Sequence, residues 1–80
     1  MKKVEIYTTP SCTYCKMTKA FFGENNIQYT EYDVSTDLQR RQEMIEKSGQ
    51  MGVPVVLIDG AMVIGFNKAK LEQNLGLPQQ

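Results

Sequence analysis

The sequence of 80 residues has no histidine and only two cysteines, Cys12 and Cys15. A structural zinc site needs four ligands, usually cysteine or histidine, so a closed zinc site within this chain is excluded and no metal is predicted. A secreted mini-protein stapled by several disulfides is disfavoured as well, because one cysteine pair cannot supply the framework. The spacing of the two thiols is instead typical of a cytosolic redox or open metal-binding motif.

The sequence also lacks an excess of charge and any long apolar run. Its formal net charge is zero and it has no basic cluster, which argues against a nucleic-acid partner. The apolar stretch around Val4 and Ile6 is too short for an export signal, and no segment approaches the length of a membrane span. We therefore expect a cytoplasmic, monomeric protein made of one domain, residues 1–80, without membrane contact.

Hydrophobic periodicity and turn residues predict an α/β chain with the element order βαβαββα. The first two strands are expected to be parallel through a right-handed crossover, and Asp59-Gly60 predicts a hairpin between the last two. The result is a four-stranded mixed sheet with helices on both faces. The predicted elements are strand 3–7, a helix from Cys12 that ends within 23–26, strand 27–34, helix 38–48, strand 52–58, strand 61–64 and helix 68–75.

Capping residues are expected to delimit the second and third helices. Small polar residues favour N-caps, and glycine and proline favour helix ends. The predicted boundaries are an N-cap within residues 35–37, an end at Gly49, an N-cap at Asn67 and an end at Gly76 and Pro78.

The Cys12-Thr13-Tyr14-Cys15 segment lies where the first strand gives way to the first helix. As the N-cap, Cys12 would direct its sulfur at the unpaired N–H groups of the first turn, at the positive end of the helix dipole. That position stabilises a thiolate. Cys15 lies one turn on, on the same face and within bridging reach. We expect Cys12 to attack a disulfide and Cys15 to resolve the mixed disulfide.

The rest of this helix is expected to bury an apolar stripe of Met17, Ala20 and Phe21. Helix geometry points Lys16 and Lys19 toward solvent in this interpretation. The backbone amides at the N-cap would then do most of the thiolate stabilisation.

Over its whole length the chain resembles glutaredoxins. The resemblance is carried by the element order, by the Cys-x-x-Cys at the start of the first helix, by Ser48 to Pro54 before the third strand and by the Gly65 turn. It implies a thioredoxin-like fold and a thiol–disulfide oxidoreductase acting on disulfide-containing or glutathionylated proteins. It also implies no bound cofactor, with glutathione as co-substrate.

The resemblance further implies a substrate groove and a cis Val53-Pro54 bond that faces the cysteines. The Val53 backbone would pair with an extended thiol substrate, Gln50 would contribute a side-chain contact and Tyr14 would form one wall. The residues implied to bind substrate or glutathione are Tyr14, Gln50, Val53, Pro54, Gly65, Phe66 and Asn67.

The groove departs from the common glutaredoxin pattern. Where the family has Gly-Gly-Cys-Asp-Asp, this chain has residues 64–68 as Ile-Gly-Phe-Asn-Lys, so an amide replaces the acidic partner of the γ-glutamyl amine. Thr9 and Met51 stand where cations often hold the glutathione carboxylates. A glutathione site is therefore expected to be weakened.

The sequence is also compatible with a redoxin that thioredoxin reductase recycles and that donates electrons to ribonucleotide reductase. Thr18-Lys19 and Gly65-Phe66 are similar to the corresponding residues of such redoxins. In a simpler interpretation, Thr18 and Lys19 are polar helix residues and Phe66 covers the core over the last helix.

Two non-catalytic functions would use the same thiols. A copper-chaperone-like module could bind Cu(I) through Cys12 and Cys15, but the element order disfavours it. An iron–sulfur carrier could use Cys12 together with glutathione, but such carriers usually keep one cysteine, so the presence of Cys15 disfavours this function.

Overall fold

The computed structural model describes residues 2–77 and arranges them as four strands and three helices in the predicted order. A helix follows the first, second and fourth strands, and a hairpin joins the third strand to the fourth. The elements are β1 (Val4–Thr8), α1 (Thr13–Glu24), β2 (Thr30–Asp33), α2 (Leu38–Ser48), β3 (Val55–Ile58), β4 (Ala61–Ile64) and α3 (Lys68–Leu75).

The four strands form one mixed sheet in the order β2-β1-β3-β4. β1 pairs with β2 in parallel, whereas the β1–β3 and β3–β4 pairs are antiparallel. The β3–β4 turn uses Asp59 and Gly60, both with positive φ (50° and 87°), as a two-residue hairpin turn requires. The predicted fold, a thioredoxin-like βαβαββα arrangement, is confirmed.

Each face of the sheet carries its own hydrophobic core, because alternate strand residues point to opposite faces. On one face α1 and α3 pack on strand residues such as Ile6 and Val56, and Phe22 and Leu71 are fully buried there. On the other face α2 places Met44 against the second set of strand residues, which are Tyr7, Val55 and Leu57. Helices therefore cover both faces, as the sequence predicted.

The predicted helix boundaries are largely confirmed. Asp37 caps α2 by accepting the Arg40 N–H, and Asn67 caps α3 by accepting the Lys70 N–H. Gly49 and Gly76 end these helices in the left-handed conformation, which glycine adopts without a Cβ clash. Pro78, which was also predicted to end the last helix, lies outside the described residues.

Strand boundaries differ from the predictions. β1 is shifted by one residue, and β2 begins at Thr30 rather than at residue 27, because Ile27 and Tyr29 pack on the core before the parallel ladder starts. β3 begins at Val55 rather than at residue 52. Pro54 has no N–H to donate to a ladder, which is consistent with the shorter strand.

The predicted apolar stripe of α1 is wrong at two of its three positions. Met17 and Ala20 are exposed, and the buried residues of the helix are Cys15, Thr18, Phe21 and Phe22. Thr18 tolerates burial because its hydroxyl donates to the Tyr14 carbonyl at 2.8 Å, so its polar group stays paired. The face of α1 that packs on the sheet therefore differs from the face that the apolar side chains predicted.

Candidate active site

The cysteine motif and the predicted groove lie at the same end of the sheet. β1 ends there and leads into Cys12, and β3 begins there because it is antiparallel to β1, with Tyr7 opposite Val55. β4 ends there as well, with Ile64 opposite Val55. The pairing of the strands therefore brings segments that are distant in sequence to the Cys12 end of the sheet.

Cys12 is the N-cap of α1, as predicted. Its extended backbone (φ −91°, ψ 111°) lets the Sγ accept the backbone N–H of Cys15 at 3.0 Å, so the sulfur faces the first turn. The Cys12 N–H donates to the Thr9 carbonyl, which anchors the loop before the helix. The sulfur thus lies at the positive end of the helix dipole in a partly exposed position.

Cys15 lies in a different environment from Cys12. It is fully buried, and burial, followed by a hydrogen bond to Cys12, raises the pKa of the Cys15 thiol from 9.0 to about 12. The backbone of Thr9 and the charge of Lys19 act in the opposite direction. Cys15 therefore keeps its proton at neutral pH, whereas the sulfur of Cys12 remains accessible to a substrate.

The Val53-Pro54 bond is cis and lies beside the Cys12 sulfur, as the resemblance implied. The Cys12 thiol donates to the Val53 carbonyl at 3.7 Å, so this loop is in direct contact with the motif. Gly65, with φ of 75°, donates its N–H to the Pro54 carbonyl at 2.9 Å. The structure thus brings three of the sequence-predicted groove residues next to Cys12 or to each other.

The remaining groove residues are distributed unevenly. Tyr14 is 60% exposed on the first turn of α1, and Gln50 is exposed on the loop before Val53. Phe66 is partly buried and packs edge-to-face on Phe21, with ring centroids 6.3 Å apart. Asn67 uses its side-chain oxygen to cap α3. Phe66 and Asn67 therefore each have a packing or capping contact within the chain.

Lys19 does not extend into solvent as expected. Its Nζ donates to Glu31 of β2 at 2.9 Å, and the lysine side chain is 31% exposed. Glu31 also accepts the hydroxyl of Thr8, a buried residue at the end of β1, at 2.7 Å. The sequence interpretation missed Thr8 and Glu31. The one sequence signal near them was the position of Lys19, four residues after Cys15, because this spacing places two side chains on one helix face.

Comparison with known proteins agrees with this geometry. The sequence profile of the family described as Glutaredoxin matches residues 4–63, which include both cysteines and the Val53-Pro54 bond. The chain belongs to the glutaredoxin family. With its Cys-x-x-Cys pair, it is a glutaredoxin-like thiol–disulfide oxidoreductase.

Individual glutaredoxin relatives cover most of the chain. It is 43% identical over 70 residues to an uncharacterized glutaredoxin-like 8.6 kDa protein of the rubredoxin operon of Clostridium pasteurianum, covering 88% of this chain and 93% of that one. It is 35% identical over 65 residues to glutaredoxin 3 of Escherichia coli K12, covering 81% and 78% respectively. Among solved structures, it is similar to the thioredoxin-like protein BC3987 (TM-score 0.85, 39% identity, covering 90% and 99% of the two chains).

Two further properties of this glutaredoxin concern metals and membranes. Within residues 2–77, no cluster of three or more histidine, cysteine, aspartate or glutamate side chains is arranged to hold a metal ion. Over the same residues, no helix combines the length and the apolar character needed to cross a membrane.

Proposed function

We propose that this protein reduces disulfide-containing or glutathionylated proteins, with Cys12 as the nucleophile and Cys15 as the resolving thiol. The observation that carries the proposal is the asymmetry of the pair. Cys12 is partly exposed at a helix N-cap, whereas Cys15 is fully buried with its pKa raised. Because the thiolate is the attacking species, the sulfur that a substrate can reach is the one that starts the reaction.

In the first step the Cys12 thiolate attacks a sulfur of the substrate disulfide. A bond forms between the Cys12 Sγ and that sulfur, the substrate S–S bond breaks, and the leaving sulfur departs as a thiolate. The cis Val53-Pro54 loop supports this step, because the Val53 backbone lies beside Cys12 and is proposed to pair with an extended substrate. Tyr14, Gln50, Gly65, Phe66 and Asn67 are proposed to complete the groove.

Two routes then release the product. In the dithiol route Cys15 attacks Cys12, frees the reduced substrate and leaves a Cys12–Cys15 disulfide. In the monothiol route Cys12 removes glutathione from a glutathionylated protein, and a second glutathione frees Cys12. Glutathione is the proposed co-substrate, since the family is typically glutathione-dependent, and no cofactor is proposed to stay bound.

A second candidate is that thioredoxin reductase recycles the protein and that ribonucleotide reductase receives its electrons. One observation favours it: the groove presents Tyr14 and Met51, 60% and 61% exposed, rather than charged side chains that would hold the glutathione carboxylates. Exposed apolar side chains on the first turn of α1 and on the loop before Val53 suit contact with a protein. In either case we propose a cytoplasmic monomer without nucleic-acid or membrane partners, consistent with its zero net charge.

Cysteine variants assayed with both electron donors test these roles. Cys12→Ser is expected to abolish turnover with glutathione and glutathione reductase and turnover with NADPH and thioredoxin reductase. Cys15→Ser is expected to keep the glutathione-dependent turnover of a glutathionylated substrate and to lose dithiol transfer. The donor that reduces the oxidised wild-type protein faster is the one the groove serves. Loss of both activities in Cys15→Ser alone would contradict the assignment.

A further inference from the structure

A chain of three side chains connects two strands to the helix that carries the cysteines. The Lys19 ammonium of α1 and the Thr8 hydroxyl of β1 both donate to the same Glu31 oxygen of β2, at 2.9 and 2.7 Å. Thr8 is 2% exposed, and the Lys19 and Glu31 side chains are 31% and 36% exposed. The lysine head is therefore held by the sheet in one place instead of moving freely in solvent.

The fixed ammonium lies on the same helix face as Cys15. Residues four apart on a helix are one turn apart, with Cβ atoms about 5–6 Å from each other. Because Cys15 is buried, solvent screens the attraction between a Cys15 thiolate and the Lys19 ammonium less than it would at a fully exposed site. The charge of Lys19 lowers the pKa of Cys15 against the larger effect of burial.

The resolving step places negative charge on the Cys15 sulfur, near the Lys19 ammonium. Cys15 loses its proton to solvent, and the electron pair of its sulfur forms the S–S bond with the Cys12 Sγ. The bond between Cys12 and the substrate sulfur breaks, and that sulfur leaves with the electron pair and takes up a proton. Negative charge therefore develops on a buried sulfur, where burial alone opposes it.

We propose that Lys19, held in place by Glu31 and Thr8, is a positioning residue that stabilises the developing Cys15 thiolate and so sets the rate of the resolving step. The inference rests on the proposed roles of the two cysteines. Glu31 has two opposite effects: it fixes the ammonium and it partly neutralises its charge. The glutamate is held in its charged form, since the hydrogen bond from Thr8 and then that from Lys19 lower its pKa.

Substitutions at Lys19 and at Glu31 are predicted to change the rate of the resolving step in opposite directions. Lys19→Met removes the cation but keeps an unbranched apolar stem, so resolution should slow by about tenfold. Glu31→Gln keeps an amide oxygen that accepts from Thr8 and from Lys19, so the ammonium stays in place, but it removes the neutralising charge, and resolution should be faster than in the wild type. Lys19→Arg keeps the charge and should restore the rate.

An aromatic disulfide separates the two steps in one stopped-flow trace. Reduced protein mixed with excess dithiobis(nitrobenzoate) releases one chromophoric thiolate when Cys12 attacks and a second when Cys15 resolves. The first phase should be unchanged in all three variants, and the second should follow the order given above. The pH profile of the second phase should move to higher pH in Lys19→Met; the titratable groups around this site are Cys12, Lys19, Tyr29, Glu31 and Asp33.

The two phases also distinguish failure of this inference from failure of the proposed function. Absence of a rapid first phase, or its persistence in Cys12→Ser, would contradict the role of Cys12. A normal first phase with a second phase that Lys19→Met leaves unchanged would overturn the role of Lys19. Slowing of the second phase in both Lys19→Met and Glu31→Gln would also overturn it, since only a structural role predicts the same sign.

Discussion

At the scale of single residues, the two cysteines show how position decides the environment of a side chain. Cys12 and Cys15 have the same side chain and lie three positions apart, yet one caps a helix at the surface and the other is enclosed by the core. A charged sulfur at Cys15 would be desolvated, so the neutral thiol is favoured there. The fold thus gives two chemically identical groups different exposure, which is the basis of the roles proposed for them.

The raised pKa of Cys15 predicts a loss of stability of the reduced protein at alkaline pH. The folded protein keeps the Cys15 proton up to about 12, whereas the unfolded chain releases it near the ordinary value of 9.0. Between these values unfolding releases a proton, so the free energy of unfolding should fall as the pH rises. Urea unfolding of the reduced protein at pH 8 and at pH 10 measures this change.

The oxidised protein is the control for this prediction. It has no free thiol at Cys15, so its free energy of unfolding should fall less over the same interval. Alkaline titrations outside the cysteine pair, including that of Tyr7, whose pKa burial also raises, are common to both forms and cancel in the comparison. Equal pH dependence of the oxidised and reduced forms would contradict the prediction.

At the scale of elements, α3 begins at a residue to which two roles can be assigned. Asn67 caps the helix by accepting the Lys70 N–H at 3.2 Å, and the resemblance to glutaredoxins also assigns this position to glutathione. An N-cap side chain is typically worth about 1 kcal/mol relative to alanine, and aspartate caps as well as asparagine. The two roles can therefore be separated by substitution.

We predict that Asn67→Asp keeps the free energy of unfolding and lowers the KM for glutathione severalfold, because it supplies the carboxylate for the γ-glutamyl amine. Asn67→Ala should lose about 1 kcal/mol of stability and gain no affinity. Asp37→Ala, which removes the corresponding cap of α2, is the matched control: it should lose similar stability without a change in KM. An unchanged KM in Asn67→Asp would show that this position does not contact glutathione.

At the scale of the whole molecule, one sheet supports two cores and carries the candidate active site at one end of its central strands. The helices on the two faces bury Phe22 and Met44 completely, on opposite sides of β1 and β3. Because both cores share the same strands, loss of packing on either face should weaken the whole domain. The position of Val53 beside Cys12 depends on that sheet remaining in register.

We predict that Met44→Ala lowers the free energy of unfolding by about 2–5 kcal/mol and Phe22→Ala by about 3–5 kcal/mol, because each leaves a cavity. Met17→Ala is the matched control, since it makes the same change on the exposed face of a helix (43% exposed) and should cost less than about 0.5 kcal/mol. Urea denaturation measures all three. A cost for Met17→Ala equal to that for Met44→Ala would contradict the observed burial of α1 and α2.

The sequence by itself determined the order of the elements, the helix caps, the hairpin and the thiol motif. These features depend on local chemistry: a capping side chain reaches an N–H two or three residues away, and Asp59-Gly60 adopts its turn without help from distant residues. The family resemblance added the cis Val53-Pro54 bond and its place beside Cys12, which local patterns do not reveal.

Only the tertiary structure decided which side chains are buried and which charges meet. Thr18 rather than Met17 faces the core, because the packing of α1 on the sheet selects the face and a local hydrogen bond satisfies the threonine. Lys19 meets Glu31 because β2 lies next to β1 in the sheet, which places residues from three elements at one point. Contacts of this kind depend on how elements pack, and neither periodicity nor spacing along one element specifies that.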